Sequence, residues 1–255
     1  MLNCDFKLYE GLLARRFRKL GSRTLSPCQY VAGNDRLIHH GIARARDAIN
    51  VANSSGLKCG IGDYDYIAAF DYLVLEWVWK VLRRKGVRSS TLERLRNLYA
   101  NGIIIPVVNC IPGRSIHDRR GSLRQGGAGS MEWFSVGIDP LLIYLELNLT
   151  GIPVSSSPVL GPAEENDNFP LPIYEERFKV MAYCDDVKPA VSSINEFLIA
   201  DHGASLFENA AGTRLHRDPA SNKCKFLALG KWRRDLKQDD IPTCLLYTSP
   251  SPRDS

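Results

Sequence analysis

The sequence lacks the features of a membrane protein and of a secreted domain held by disulfides. None of its apolar runs is long enough to span a bilayer, and no basic start followed by an apolar core marks a signal peptide. Its seven cysteines are odd in number and scattered, with no Cys-x-x-Cys pair. That spacing argues against a structural zinc site and a disulfide framework. We therefore expect no membrane partner and an intracellular location, nuclear or cytoplasmic, in a reducing environment.

A strong excess of one charge sign is also missing. The net charge is +5 over 255 residues, and the chain is 44% hydrophobic and 24% charged. This is globular composition with enough apolar material for one large domain or two small ones. The basic residues nevertheless cluster within 15–23, 80–88 and 114–124. Such clusters suit a phosphate backbone, but many are the solvated faces of helices, so charge alone leaves nucleic-acid binding open.

Regular alternation of strands and helices is absent, which argues against a doubly wound parallel sheet. Apolar spacing predicts helices over 5–20, 36–52, 73–86, 90–100 and 131–149, and a Ser193–Glu196 capping box starts another that runs to about Gly212. Strands are predicted within 59–70, 102–113 and 223–229, and a surface loop over 151–172. This order predicts an α+β fold in which an antiparallel sheet carries helices on one face.

Two adjacent carboxylates stand in the segment Tyr183-Cys184-Asp185-Asp186, between the apolar run 180–182 and Val187. β-Forming residues on both sides predict the tip of a tight hairpin. Adjacent like charges are costly unless a cation or strong donors hold them, and a divalent metal is the natural partner. Taken alone, however, an Asp-Asp pair is also typical of an ordinary solvated turn.

Two further segments carry residues of the same chemistry. Asp65 ends a buried strand and cannot stay charged there without compensation, so it is either satisfied by backbone donors or a third carboxylate beside Asp185 and Asp186. Asp71 is the expected N-cap of the next helix. The glycine-rich, basic segment 120–130 precedes a helix, so its backbone N–H groups and Arg124 could meet a phosphate or a base.

Together these segments resemble, over residues 1–243, the reverse transcriptase domain of a non-LTR (LINE-type) retrotransposon. Asp65 with Ala69-Phe70-Asp71 matches the first catalytic motif, and Tyr183-Cys184-Asp185-Asp186 the third. The second motif is matched by Arg120-Gly121 and Arg124-Gln125-Gly126, and Lys223 resembles the lysine of the fourth. Segments 2–7 and 29–33 fit the fingers. The resemblance implies the palm of a right-hand polymerase with partial fingers and a missing thumb: partial fingers over 1–58, palm with remaining fingers elements over 59–243.

The resemblance also implies roles. Asp65 and Asp185 would hold two Mg²⁺ ions, or Mn²⁺, with Asp186 assisting. Phe70 would lie under the incoming sugar and exclude a 2′-hydroxyl, and Lys223 could protonate the leaving pyrophosphate. Arg124, Gln125 and Gly126 would lie near the nucleotide and the template base. The implied partners are an RNA template, a DNA primer and deoxynucleoside triphosphates, and no protein partner is indicated.

The two ends shape the expected activity. Met1 falls inside the fingers of the resemblance, and residues 244–255 resemble translated sequencing-adapter sequence, which predicts a non-native, disordered tail. We therefore expect an RNA-directed DNA polymerase by descent that turns over little or not at all as this chain. The alternative is a non-catalytic nucleic-acid-binding remnant of the same domain. An RNA-directed RNA polymerase would share the paired acids, but Phe70 and the 124–126 segment argue against it.

Overall fold

A computed structural model describes residues 4–31, 37–100, 103–105, 107–117, 122–124, 126–154, 176–221, 223–241 and 246–248. Its helices are α1 (Cys4–Thr24), α2 (Ile38–Ser54), α3 (Ala69–Tyr72), α4 (Leu75–Arg84), α5 (Ser89–Ala100), α6 (Ser130–Asn148), α7 (Ile194–Ala211) and α8 (Trp232–Asp235). Within these ranges no helix has the length and apolar character needed to cross a membrane.

The strands are β1 (Lys58–Asp63), β2 (Ile103–Ile104), β3 (Val107–Val108), β4 (Ile111–Pro112), β5 (Ile116–His117), β6 (Ile152–Pro153), β7 (Arg177–Phe178), β8 (Val180–Tyr183), β9 (Asp186–Val191), β10 (Lys225–Gly230) and β11 (Leu246–Thr248). Five of them form the main sheet in the order β11-β10-β1-β9-β8. Its pairings are antiparallel except between β10 and β11. The fold is therefore mixed α+β with a largely antiparallel sheet, as the element order predicted.

Helices cover both faces of this sheet, so the prediction of helices on one face was wrong. Alternate residues of each strand point to opposite faces. On β10, Phe226 and Ala228 join the larger apolar cluster with α4, α6 and α7, whereas Leu229 joins a second cluster with Ala48 and Ala52 of α2. The sheet is thus the middle layer between α2 and the other helices.

Local signals explain where several elements begin and end. The hydroxyl of Ser193 accepts a hydrogen bond from the amide of Glu196 at 3.3 Å, which starts α7, and Gly212 ends it with φ of +76°. The Glu196 carboxylate binds the amides of Ser192 and Thr150 rather than the Ser193 amide. The predicted capping box is therefore half formed, and Glu196 instead joins the end of α6 to the start of α7.

Other predictions need correction. Asp71 lies inside α3 and is not an N-cap, because α3 follows Ala68 and α4 follows Val74. The 102–113 segment contains two-residue strands, and β3 folds back on β4 at a turn formed by Asn109 and Cys110, which both have positive φ.

Two predicted loops or tails also carry strands. Ile152–Pro153 pairs with Arg177–Phe178, and most of the predicted 151–172 loop lies outside the described residues. Leu246–Thr248 pairs in parallel with β10, so these three residues of the 244–255 tail are not the disordered chain expected. Ala52 and Cys59, on either side of the predicted boundary between 58 and 59, pack in one apolar cluster, and the division into fingers and palm stays a prediction.

Candidate functional site

The end of β1 is joined to the β8–β9 hairpin by one pair of residues. Tyr64 donates its amide hydrogen bond to the carbonyl oxygen of Val187 at 2.9 Å, in an antiparallel bridge. Asp65 follows Tyr64 in the chain, and Asp186 precedes Val187. Antiparallel pairing therefore brings Asp65 opposite Asp186 and one residue from the hairpin turn.

The hairpin turn consists of Cys184 and Asp185, between the paired residues Tyr183 and Asp186. Cys184 has φ of +59°, the left-handed conformation that two-residue hairpin turns require. Its amide donates a hydrogen bond to the side-chain oxygen of buried Gln29 at 3.3 Å. The turn predicted from sequence is therefore present. Its backbone is held by Gln29, which lies in the segment after α1.

The turn places Asp185 where a charge is unfavourable. Its pKa is raised, first because burial penalises the carboxylate, and further because the negative charges of Asp186 and Asp65 lie nearby; a backbone hydrogen bond partly opposes the shift. Asp65 and Asp186 are thus close enough to Asp185 for electrostatic repulsion. Asp185 is half-buried, and Asp186 is exposed.

The backbone of Asp65 is also held by residues that follow α7. The amide of His216 donates to the Asp65 carbonyl oxygen at 2.9 Å, and Tyr66 forms an antiparallel bridge with Leu215. The Cys224 sulfur accepts a hydrogen bond from the Asp65 amide at 3.4 Å. These contacts hold the main chain and leave the carboxylate available to other groups. None of them has a local signal in the sequence.

The Asp65 carboxylate has a basic partner that the sequence had singled out. Nζ of Lys223 lies 3.7 Å from Oδ2 of Asp65, and both side chains remain partly open to solvent. Next to them, Lys188 forms a salt bridge with Asp63, which sequence reasoning had not assigned to the site. Antiparallel pairing of β1 with β9 explains this contact, because Ile61 pairs with Ala190 and residues 63 and 188 are therefore opposite each other.

The donor set can be compared with what a magnesium ion requires. Within the described ranges, no group of three or more His, Cys, Asp or Glu side chains has the arrangement of a metal site. An all-protein cage is therefore not formed there. Mg²⁺ is usually bound by one or two carboxylates and completes its shell with water and substrate phosphate oxygens. Asp185 with a neighbouring acid fits that mode, since a cation would offset the cost of burial and the smaller repulsion that raise its pKa.

The predicted nucleotide-contacting residues form a separate group. The ring of Phe70 packs against that of Phe134, with centroids 4.9 Å apart and the ring planes tilted by 33°. The Phe70 carbonyl oxygen accepts a hydrogen bond from the Leu123 amide at 3.2 Å. A backbone hydrogen bond therefore links the first motif segment, at Phe70, to the second, at Leu123. Gly126 has φ of +75°, and a Cβ there would meet nothing within 4 Å, so backbone conformation rather than space favours glycine. Gln125 lies outside the described residues.

Arg124 is engaged with aromatic rings. Its guanidinium carbon lies 4.4 Å from the ring centroid of Phe6 and 5.6 Å from that of Tyr99. The Tyr99 hydroxyl donates a hydrogen bond to the fully buried carboxylate of Glu10. Burial and the charge of Glu10 raise the pKa of Tyr99. This cluster anchors the glycine-rich segment to α1. The apolar spacing that predicted a helix over 5–20 does not single out Glu10, because its partner Tyr99 lies far away in the sequence.

Comparison with known proteins adds one distant similarity. No family model matches the chain. Over 242 residues it is 22% identical to a Xenopus laevis protein described as "Transposon TX1 uncharacterized 149 kDa protein", and the match covers 95% of this chain. The chain spans only 16% of the length of that protein. The chain is similar to part of a transposon protein.

Proposed function

We propose that the chain is derived from the RNA-directed DNA polymerase of a non-LTR retrotransposon and carries its nucleotidyl-transfer site. The observation that carries the proposal is the Tyr64–Val187 bridge, which brings Asp65 beside the Cys184–Asp185 turn. The similarity to a transposon protein and the order of the four motif segments support the same origin. Location in the nucleus or cytoplasm is part of this proposal.

In this proposal Asp65 and Asp185 supply the carboxylate oxygens for two Mg²⁺ ions, or Mn²⁺, and Asp186 assists. Bound ions would lower the pKa of a primer 3′-hydroxyl and neutralise the charge of a triphosphate. Lys223, beside Asp65, could then donate its proton to the departing pyrophosphate. Burial is the main cause of the raised pKa of Asp185, and a bound cation would offset both that cost and the smaller repulsion from Asp186 and Asp65.

The remaining residues would position the substrates. Phe70, which packs against Phe134, would contact the sugar of a deoxynucleotide and exclude a 2′-hydroxyl. Gly126 and Gln125 would lie near the template base. Since the Arg124 guanidinium is already packed on Phe6, we assign it the role of holding this segment rather than direct contact with the nucleotide. An RNA template, a DNA primer and deoxynucleoside triphosphates are the proposed partners.

Primer extension on an oligo(dT)-primed poly(rA) template tests the proposal. We expect the purified chain to incorporate labelled thymidylate slowly at most, and only with Mg²⁺ or Mn²⁺, and we expect D185N and D65N to abolish that incorporation. D47N is the matched control, because Asp47 is an exposed aspartate of α2 outside the site. Equal incorporation by D185N and D47N would contradict the assignment of Asp185. Robust synthesis by the unmodified chain would contradict only the sequence-based expectation of low turnover.

The second candidate is a nucleic-acid-binding remnant without turnover. It is favoured by the exposed basic residues of α1, among them Arg16, Lys19 and Arg23, which suit a phosphate backbone. If the remnant is correct, the chain will bind single-stranded RNA, D185N will bind it equally well, and no metal will produce incorporation. Incorporation that requires Asp185 would exclude it.

A further inference from the structure

A basic groove lies between the second half of α4 and the middle of α6, away from the hairpin. Its volume is about 650 Å³. The α4 side carries an indole and three cations, and the α6 side carries a proline and an isoleucine; these residues are Trp77, Lys80, Arg83, Arg84, Pro140 and Ile143. The groove therefore combines positive charge with apolar and aromatic side chains.

The positive charge of the groove is not neutralised from within. Its acidic residue, Asp139, is fully buried, accepts a hydrogen bond from the Ser26 amide at 2.6 Å and pairs with Lys85. Within the described residues, no salt bridge involves Lys80, Arg83 or Arg84. Three cations therefore face the groove without a carboxylate partner in that part of the chain.

A basic stripe on α1 leads towards this groove. Arg16, Lys19 and Arg23 are exposed and lie at spacings of three and four, so they share one face of the helix. Nζ of Lys85 donates a hydrogen bond to the carbonyl oxygen of Thr24 at 2.6 Å. Because Thr24 follows Arg23, the stripe ends beside the groove, and the two basic surfaces form one track.

This track is separate from the proposed catalytic residues. The start of α6 lies near the hairpin, because the charge of Glu132 acts on Cys184. The groove residues 139–143 follow Glu132 by at least seven positions, which is about 10 Å along a helix axis. A ligand in the groove would therefore not occupy the Asp65–Asp185 site.

We propose that the α1 stripe and the α4–α6 groove bind single-stranded nucleic acid, with phosphates on Lys80, Arg83 and Arg84 and a base against Trp77. Grooves for single strands combine cations that follow the backbone with aromatic side chains that take bases. Arginine forks match carboxylates as well as phosphates, so the aromatic side chain is the distinguishing feature, because every nucleic-acid base has a ring face that can stack on it. The observations therefore favour nucleic acid over a peptide. The proposed polymerase chemistry does not require this second site.

Fluorescence anisotropy with a labelled oligouridylate of about 12 nucleotides tests the proposal. Measurements in EDTA separate this binding from any metal-dependent site, and D185N should bind like the unmodified chain. In the triple variant K80A/R83A/R84A we expect about tenfold weaker binding at low salt. The slope of log K against log salt should fall by about 2, because each lost phosphate contact on a single strand contributes about 0.7.

A matched variant removes the same charge elsewhere. K231A/R234A/K237A also deletes three exposed cations from one short segment, and it should retain the affinity and salt slope of the unmodified chain. Trp77 is half-buried whereas Trp79, Trp133 and Trp232 are buried, so RNA should quench the fluorescence of Trp77 first. W77F should lose this quenching while remaining folded by circular dichroism.

The results that would overturn the proposal are specific. Equal weakening by the two triple variants would show that only total charge matters. Groove-dependent binding of an oligoglutamate peptide that is tighter than that of the RNA would identify an acidic peptide as the ligand. Either result would leave the polymerase proposal untouched, since the primer-extension assay depends on Asp185 and not on the groove.

Discussion

The ring of Phe226 lies directly over the backbone of Gly60, at the centre of the sheet. A Cβ on Gly60 would be 2.1 Å from Cζ of Phe226 and 2.6 Å from the carbonyl oxygen of Leu227. The absence of a side chain at residue 60 is therefore what lets β10 pair closely with β1. Asp65 follows β1 by two residues, so the close pairing of β1 with β10 helps to position Asp65 at the candidate site.

We predict that Gly60→Ala lowers the free energy of unfolding by about 2–3 kcal/mol, since neither the backbone oxygen nor the packed ring can move away easily. Urea denaturation followed by circular dichroism measures the change. Gly11→Ala is the control. Gly11 lies inside α1, and a Cβ there would lie 3.5 Å from Cβ of Ala128, an ordinary van der Waals distance. It should be neutral or stabilise the chain by up to about 1 kcal/mol. Equal effects of the two substitutions would contradict the contact.

A buried ion pair fastens α4 to α6. Nζ of Lys85 binds the carboxylate of Asp139, whose side chain is 0% exposed. Lys85→Met leaves that carboxylate buried and without its cation, so we predict a loss of about 3–5 kcal/mol of unfolding free energy. The double variant Lys85→Met with Asp139→Asn should recover most of the loss, because both charges are removed and the asparagine oxygen can still accept the hydrogen bond from the Ser26 amide.

Glu76 and Arg96 provide the comparison for this prediction. Their side chains are 53% and 38% exposed, and their ion pair joins α4 to α5. Glu76→Ala should cost no more than about 1 kcal/mol, as exposed pairs usually do. A cost for Lys85→Met as small as that for Glu76→Ala, in the same denaturation experiment, would show that Asp139 gains solvent or another partner.

The raised pKa of Asp185 predicts a stability that falls with pH in the absence of metal. The folded pKa lies above the unfolded one, so the folded state binds the proton more tightly. The loss of stability caused by the ionised Asp185 carboxylate is absent below the unfolded pKa and complete above the folded pKa. Asp185→Asn should therefore stabilise the chain at pH 7 in EDTA and have a smaller effect at pH 4. A destabilising effect at pH 7, measured by denaturation, would contradict this reading of the site.

The cysteines should differ sharply in reactivity. Burial raises the pKa of Cys28 to about 12 and that of Cys59 to about 11, whereas Cys4 and Cys110 are exposed. The thiolate is the reactive form, so at pH 8 iodoacetamide should label Cys4 and Cys110 long before Cys28 and Cys59. Peptide mass spectrometry measures the order. Labelling of Cys28 as fast as Cys110 would mean that the structure around Cys28 opens locally and frequently.

Periodicity predicted the elements of this fold better than it predicted their arrangement. The helix predicted over 36–52 is α2, but nothing in its own pattern shows that Ala48 and Ala52 cover the second face of the sheet. The start of α7 followed from the Ser193 cap, since that signal is local. The Lys85–Asp139 pair joins residues far apart in sequence, so only the packing of α4 on α6 reveals it.

The candidate site shows the same division. The hairpin turn and the proximity of Lys223 to Asp65 agree with what the motif order suggested. Gln29, which holds the turn, and Cys224, which holds the Asp65 backbone, carry no local signal because their partners come from distant segments. Arg124 was expected to face substrate, and its stacking on Phe6 depends on the position of α1, which sequence spacing does not define.

The central claim is that Asp65 and Asp185 bind a divalent cation together. Fe²⁺ in place of Mg²⁺, with ascorbate and peroxide, cuts the polypeptide beside its own binding site, and sequencing of the fragments locates the cuts. We predict cuts next to residues 65 and 185 that excess Mg²⁺ suppresses, that D185N removes and that the control D47N retains. The absence of localised cuts, or the same cuts in D185N, would contradict the claim.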